Sequence, residues 1–392
     1  VNELAPYIVP PEFVDTELDS LIADILLNLG GLGAGFPAEL CAELSSSLET
    51  VNSFYSNRME GNPTKIGDVF DAVDGKIEGS REERDFKLEH RAHVLTSVRL
   101  RELIASDPSV SPSDPKFISL VHKIFFEDIP ESLRKAKTHS GKEVEIIPGK
   151  FRDRPVTVGR FSPPDPEEVL ELLEKFHQAY DIKKFDSKEK LLAISGAHHR
   201  FLYVHPFSDG NGRVARLTTE LMLLVAGFDG NGLYSVSRGL ARDIPSYNKA
   251  LQYGDAERRH ATDGRGPRSL EGLIFFTKYF LSILKDQIIF MKTILSRVVL
   301  ESRLQDFLIV QKTLKKLNER ELSVIQHLFH FGGMTRGEVQ KVSGLKERQA
   351  GMVISSLLDA GFLRTPSPKG KLYFKLQRDL RIALLKEFFE GD

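Results

Sequence analysis

Two helix-period stretches, one running up to about Val204 and one starting at about Asn211, are separated by the segment HPFSDGNGR. This junction constrains the chain more than any other feature. Upstream, Leu191, Leu192, Ile194, Phe201 and Leu202 follow helical spacing, with Ser187 placed to cap the helix. Downstream, Val214, Leu217, Leu221, Leu224 and Val225 form one apolar stripe before Gly227 stops it. A helix beginning at GNGR exposes backbone N–H groups with no intrahelical partner, at the positive end of the macrodipole. Gly210 and Gly212 let that backbone approach a bulky anion, which makes the terminus a ready phosphate site.

The charged residues around the turn extend this reading. Arg213 and Arg216 lie three apart on the first turns, so their side chains emerge near one another and can clamp neighbouring phosphates. Asp209 is placed to hold a Mg²⁺ ion bridging phosphate oxygens. His205 can accept a proton from an attacking hydroxyl near neutral pH. A tight turn alone accounts for the glycines, but not for the histidine, the aspartate and the arginine pair. Together they describe a transfer reaction on the phosphates of a nucleotide.

At 392 residues the chain is long enough for two or three domains. A net charge of −1 gives no global electrostatic argument for a nucleic-acid or membrane partner. Cys41 is the only cysteine, which excludes intrachain disulfides and a cysteine-rich zinc site and reads as a small buried hydrophobe. His198-His199 lacks a carboxylate at metal spacing and reads as core packing or hydrogen bonding. The most apolar stretch, LIFFTKYFLSIL, is interrupted by Lys278 and followed by Lys285 and Asp286, so it reads as a core helix and not a membrane span. With no secretory signal visible, a reducing, cytoplasmic setting is expected.

The rest of the chain reads as mainly α. In ELSSSLETVNSFYSNRMEGNP, Leu44, Leu48, Val51, Phe54 or Tyr55, and Met59 share one helical face, with Gly61 and Pro63 ending the helix. From Ile146 to Arg160, a segment rich in Gly, Pro and β-branched residues predicts a short hairpin, with Val156 and Val158 alternating around Thr157. Near the C-terminus, Glu319–Phe331, Met334–Ser343 and Glu347–Ala360 read as three helices, followed by FLRT and KLYFKL as strands around PSPKG. That order is a winged-helix pattern. Lys346, Arg348, Lys369, Lys371 and Lys375 suit either DNA phosphate or a solvated face of a protein-interaction or dimer module.

HPFSDGNGRVAR resembles the motif HPFx(D/E)GNGRxxR of the Fic family at every defined position. The resemblance implies a multi-helix Fic core with a hairpin flap, and an adenylyltransferase that moves AMP from ATP to a Ser, Thr or Tyr hydroxyl of a protein. It implies His205 as base, Phe207 as loop anchor, Asp209 as the Mg²⁺ ligand, Asn211 with the flanking glycine amides as anion hole, and Arg213 and Arg216 on the distal phosphates. It also implies that Tyr247 and Asn248 contact the adenine, and that Val156 and Val158 on the flap dock an extended segment of the target by strand addition.

SNRMEG, from Ser56 to Gly61, is similar to the family's inhibitory motif (S/T)xxxE(G/N). The similarity implies that Glu60 pairs with Arg216 in place of the γ-phosphate, with Ser56 steadying the helix, so that the isolated protein is mostly self-inhibited. The expected organisation is a helical region over 1–110 with an inhibitory helix at about 44–61, a catalytic core over 111–300, and a winged helix over 301–392. Removal of AMP, use of another nucleotide donor such as UTP or GTP, a nucleotide-sensing DNA-binding regulator, and a homodimer remain open alternatives.

Overall fold

The computed structural model describes residues 4–137, 143–159 and 161–389. The chain begins with α1 (Thr16–Leu29), α2 (Ala38–Arg58), α3 (Ile66–Val73), α4 (Arg81–Ser106) and α5 (Pro115–Glu127). Two short strands follow, β1 (Lys135–Lys137) and β2 (Glu143–Glu145), and then α6 (Val169–Tyr180), α7 (Ser187–Val204) and α8 (Asn211–Ala226). Next come α9 (Val236–Ala241), α10 (Ile244–Gly254), α11 (Leu270–Ile294) and α12 (Arg297–Thr313). The last elements are α13 (Glu319–Phe331), β3 (Gly333–Met334), α14 (Arg336–Ser343), α15 (Glu347–Asp359), β4 (Leu363–Arg364), β5 (Leu372–Phe374) and α16 (Arg378–Leu384).

The chain divides into two compact units. The first comprises Val1–Leu29, Thr50–Asp229 and Ser235–Ile288. Its core is built where α5, α6, α7, α8 and α11 turn their apolar faces inward, with Phe125, Phe126, Phe176, Phe201, Phe276 and Phe280 all buried. Burial of side chains this large supplies most of the drive for the helices to pack, at roughly 1.5–3 kcal/mol each. Lys278 on α11 reaches Asp15 and Glu17, each at 2.5 Å, which explains how a charged residue interrupts the apolar run. Among the described residues no helix is long and apolar enough to cross a membrane.

The second unit comprises Gly30–Glu49, Gly230–Tyr234 and Ile289–Asp392. Asn318 and Thr335 cap α13 and α14 with reciprocal capping boxes. β5 pairs antiparallel with both β3 and β4, giving the sheet order β3-β5-β4. Val324, Leu328, Met334, Leu357, Leu372 and Phe374 are all buried in this unit. Cys41, expected to be buried, is only partly so, with its thiol 3.6 Å from the Gly33 carbonyl.

Two local expectations are corrected. The hairpin is β1–β2, with Ala136 opposite Val144. The segment from Ile146 onward is a loop with one isolated bridge, Val158 to Phe161, because Pro and Gly interrupt any longer ladder. Arg160, the expected end of that hairpin, lies outside the described residues. The cap of α7 is Asp186 and not Ser187: its carboxylate accepts from the N–H groups of Lys188 and Glu189, both at 2.9 Å.

Candidate functional site

α7 ends by turning sharply at His205, which adopts φ 48°, ψ 61° while its N–H still bonds the Phe201 carbonyl at 3.0 Å. The left-handed turn redirects the chain into the loop before α8. Phe207 anchors that loop: it is fully buried and stacked on His122, ring centroids 3.9 Å apart. The side chain of Asn211 is spent inside the loop, donating to the Phe207 carbonyl at 2.8 Å and accepting from its N–H at 2.9 Å. Asn211 also lines the cavity beside the loop, where its backbone N–H at the start of α8 would be its part in the expected anion hole. Gly210 caps α8 with φ 77°, where a Cβ would also come 2.7 Å from the Phe126 ring.

The two arginines on α8 leave the helix together but have different partners. Arg213 is buried over the rings of Phe125 and Phe126, with Glu89 at 3.7 Å and Asp209 at 3.8 Å. Arg216, also buried, donates to Glu60 Oε1 at 2.6 Å, and to the Ser56 hydroxyl and the Ser56 carbonyl at 2.9 Å each. Glu60 therefore sits at the start of α8, where a Cβ on Gly212 would overlap its Oε1. It does not lie on the expected inhibitory helix itself. α2 stops at Arg58, and Glu60 occupies the following turn, its N–H bonded to the Asn57 carbonyl at 2.9 Å.

Charge organises the site. Burial pushes the Glu60 carboxyl up, but the guanidinium groups of Arg216 and then Arg213 outweigh it and hold the group below its ordinary range. Burial pushes the His205 imidazole down to about 4 against a hydrogen bond to the Leu202 backbone; the positive Arg152 lowers it further and Glu60 offsets that in part. His205 is therefore neutral at neutral pH, with a ring nitrogen free to take a proton.

A cavity of about 510 Å³ is lined by Glu60, Val156, Val158, His205, Asp209 and the Gly210–Gly212 backbone. Val156 is half-buried and Val158 exposed there, on a loop and not on hairpin strands. A neighbouring cavity of about 700 Å³ takes in Val158, His205, Asn248, Leu251 and Gln252. Tyr247 does not reach either one. It is buried, with its hydroxyl 2.7 Å from His198 Nε2, because the α10 face that carries it turns into the core. His198 itself bonds Thr219 and packs against Phe276 and Phe280, in keeping with a core histidine. Among the described residues no group of three or more His, Cys, Asp or Glu side chains is placed to hold a metal.

Three residues at the site were not legible in the sequence: Glu89, His122 and Arg152. Each acts from a distant segment through its side-chain contacts, and no local pattern marks such a residue. Only the PGKFRDR run, which puts Arg152 beside the expected flap, held a hint.

Residues 112–223 match the Fic/DOC family. The chain is similar to protein adenylyltransferase fic-1 of Caenorhabditis briggsae, 36% identical over 107 residues, covering 27% of this chain and 20% of that protein. The Caenorhabditis elegans protein of that name is 34% identical over 134 residues, covering 32% of this chain and 25% of that one. The chain thus spans about a fifth to a quarter of the length of these curated relatives. A Fic family protein from Desulfovibrio desulfuricans G20 is similar in fold, with a TM-score of 0.54 at 16% identity, over 93% of this chain and 98% of that one.

Proposed function

With residues 112–223 a Fic/DOC domain, we propose that this chain is a protein adenylyltransferase that moves AMP from ATP to a Ser, Thr or Tyr hydroxyl of a protein and restrains itself through Glu60. The observation that carries the reading is the Glu60 carboxylate on Arg216 and against Gly212, an internal anion in a cradle built for phosphate. His205 takes the proton of the target hydroxyl as its oxygen bonds the α-phosphorus, and the bond to the β-phosphate breaks to release pyrophosphate. Arg213, Arg216 and the α8 amides carry the charge of the leaving group.

Asp209 fits a Mg²⁺ site. Its Oδ1 is oriented by the Gly210 N–H at 2.6 Å, the side chain is 43% exposed, and it lines the cavity. One such carboxylate together with phosphate oxygens is an ordinary magnesium donor set. When bound, the ion would neutralise charge on the phosphates. Glu60 and His205 line the same cavity, which also supports AMP removal by water as a second activity of the unmodified chain.

The test is AMP incorporation by Glu60→Gly, into itself or a lysate, with ATP, GTP and UTP in parallel. The expected result is a mass increase of one AMP from ATP, abolished by adding His205→Ala. No incorporation from any nucleotide would overturn the reading. For the second activity, loss of AMP from the modified chain on adding wild type is expected, and its persistence counts against hydrolysis.

We also propose that residues 301–392 form a winged helix; the order of α13, α14 and α15 with β4 and β5 supports it. DNA and a protein surface are its two candidate partners. Anisotropy with a random duplex across about 50–200 mM salt separates them, since phosphate binding weakens steeply there.

A further inference from the structure

Arg152 lies before the loop that walls the cavity, and it is buried although among the described residues no carboxylate forms an ion pair with it, Asp165 and Glu167 acting only from a distance. Its guanidinium is spent on backbone carbonyls. Nε donates to the His205 carbonyl at 2.8 Å. Nη2 donates to the Pro164 carbonyl and, more weakly, to Val204 at 3.4 Å. Nη1 reaches the Arg154 carbonyl at 3.4 Å, and the Arg152 backbone N–H bonds the Pro206 carbonyl at 2.9 Å.

These acceptors have a pattern. Val204 and His205 end α7, where the last carbonyls have no intrahelical donor. Arg154 and Pro164 bracket the segment that carries Val156 and Val158. One side chain thus fastens the backbone of His205, in its left-handed turn, to both ends of the opposite cavity wall. A lysine cannot do this, because its single nitrogen has no planar fork to span separate carbonyls.

We propose that Arg152 is a positioning residue for AMP transfer, holding the His205 backbone and the 154–164 loop in one register so that base and target hydroxyl meet at attacking distance. The inference rests on the adenylyltransferase reading. Arg152 touches no reacting atom and acts through His205. Burial does most to keep the His205 ring neutral; the positive charge of Arg152 adds to it and Glu60 opposes it.

The test places Arg152→Gln and Arg152→Lys in the Glu60→Gly chain. Saturating AMP incorporation, ATP affinity and the His205 imidazole NMR signal, assigned with His205→Ala, are measured for each. A shift of a reacting group by about an ångström costs around a hundredfold in rate. Arg152→Gln is therefore expected to lower kcat about 10- to 100-fold with ATP Kd within about twofold, and to shift and broaden the His205 signal without nucleotide. Arg152→Lys should fall between the two. The proposal is overturned by a kcat within about twofold of the parent, by kcat and ATP affinity falling together, or by both variants unfolding, each of which assigns Arg152 no more than a structural part. Should the Glu60→Gly parent incorporate no AMP, the adenylyltransferase reading fails by itself. An unchanged His205 signal in Arg152→Gln then still overturns the clamp, and a shifted one upholds it.

Discussion

Glu60 keeps its charge in a setting where burial favours the neutral form, because two guanidinium groups face it. A carboxyl held below its ordinary range contributes its pairing above that range and loses it as pH falls through the folded value. The hold on Arg216 therefore persists at neutral pH and weakens only in acid. His205 shifts in the same direction for a different reason, since burial disfavours its charged form and leaves it at about 4. In the Glu60→Gly chain, kcat should therefore be level from about pH 6 upward and fall only as pH approaches the His205 value. A limb centred near the ordinary histidine value of 6.5 would contradict a buried, neutral base. Gly212 makes a second point at this scale. Ala is the better helix former there, yet its Cβ would overlap the Glu60 oxygen and fill the cradle. Gly212→Ala is expected to melt within a few degrees of wild type while ATP affinity, by calorimetry, drops at least about tenfold. Wild-type affinity in that variant would show that the cradle does not hold the phosphates.

Among the elements, helix periodicity located α7 and α8, and GNGR marked the start of α8, because an apolar stripe and a glycine stop are local signals. The same logic found α13, α14 and α15. The hairpin was misplaced by about ten residues: the β-branched pair Val156 and Val158 looked like a strand, whereas pairing occurs between Lys135–Lys137 and Glu143–Glu145. Strand pairing is a contact between segments, and composition does not specify it. Within the site, His205, Asp209 and the glycines were legible as one cluster since they are neighbours in sequence. Arg152, whose contact with His205 spans 53 residues, was not. The inward orientation of Tyr247 was not legible for another reason, because one residue decides whether a helical side chain faces the cavity or the core. The end of α2 and the turn after it hold Arg216 through three acceptors, the Ser56 hydroxyl, the Ser56 carbonyl and Glu60. Ser56→Ala removes only the first, a hydrogen bond to a charged group worth about 1.5–3 kcal/mol. AMP incorporation by Ser56→Ala should thus rise above wild type but stay below Glu60→Gly. Equality with wild type would remove Ser56 from the inhibitory contact.

For the whole molecule, the first unit carries several histidines that burial keeps neutral. His90, His122 and His198 are each pushed to about 3, His93 well below its ordinary value, and His205 to about 4. Each such ring binds its proton more readily once unfolded, so stability is lost as pH falls from about 6.5 towards the folded values, at up to about 1.4 kcal/mol per pH unit for each ring. Hydrogen-exchange protection factors in α4, α5 and α7, corrected for the slower intrinsic exchange in acid, should fall progressively below pH 6.5, and protection unchanged down to pH 5 would contradict it. The activity claimed for the molecule needs a neutral base beside an anion cradle, and a restraint that occupies the cradle by charge. Initial rates of AMP incorporation by wild type, Glu60→Gln and Glu60→Gly under identical conditions address both most directly. Both variants should exceed wild type, Glu60→Gly by about 10- to 100-fold, because each removes the negative charge that holds Arg216. Rates equal to wild type in both would contradict the account.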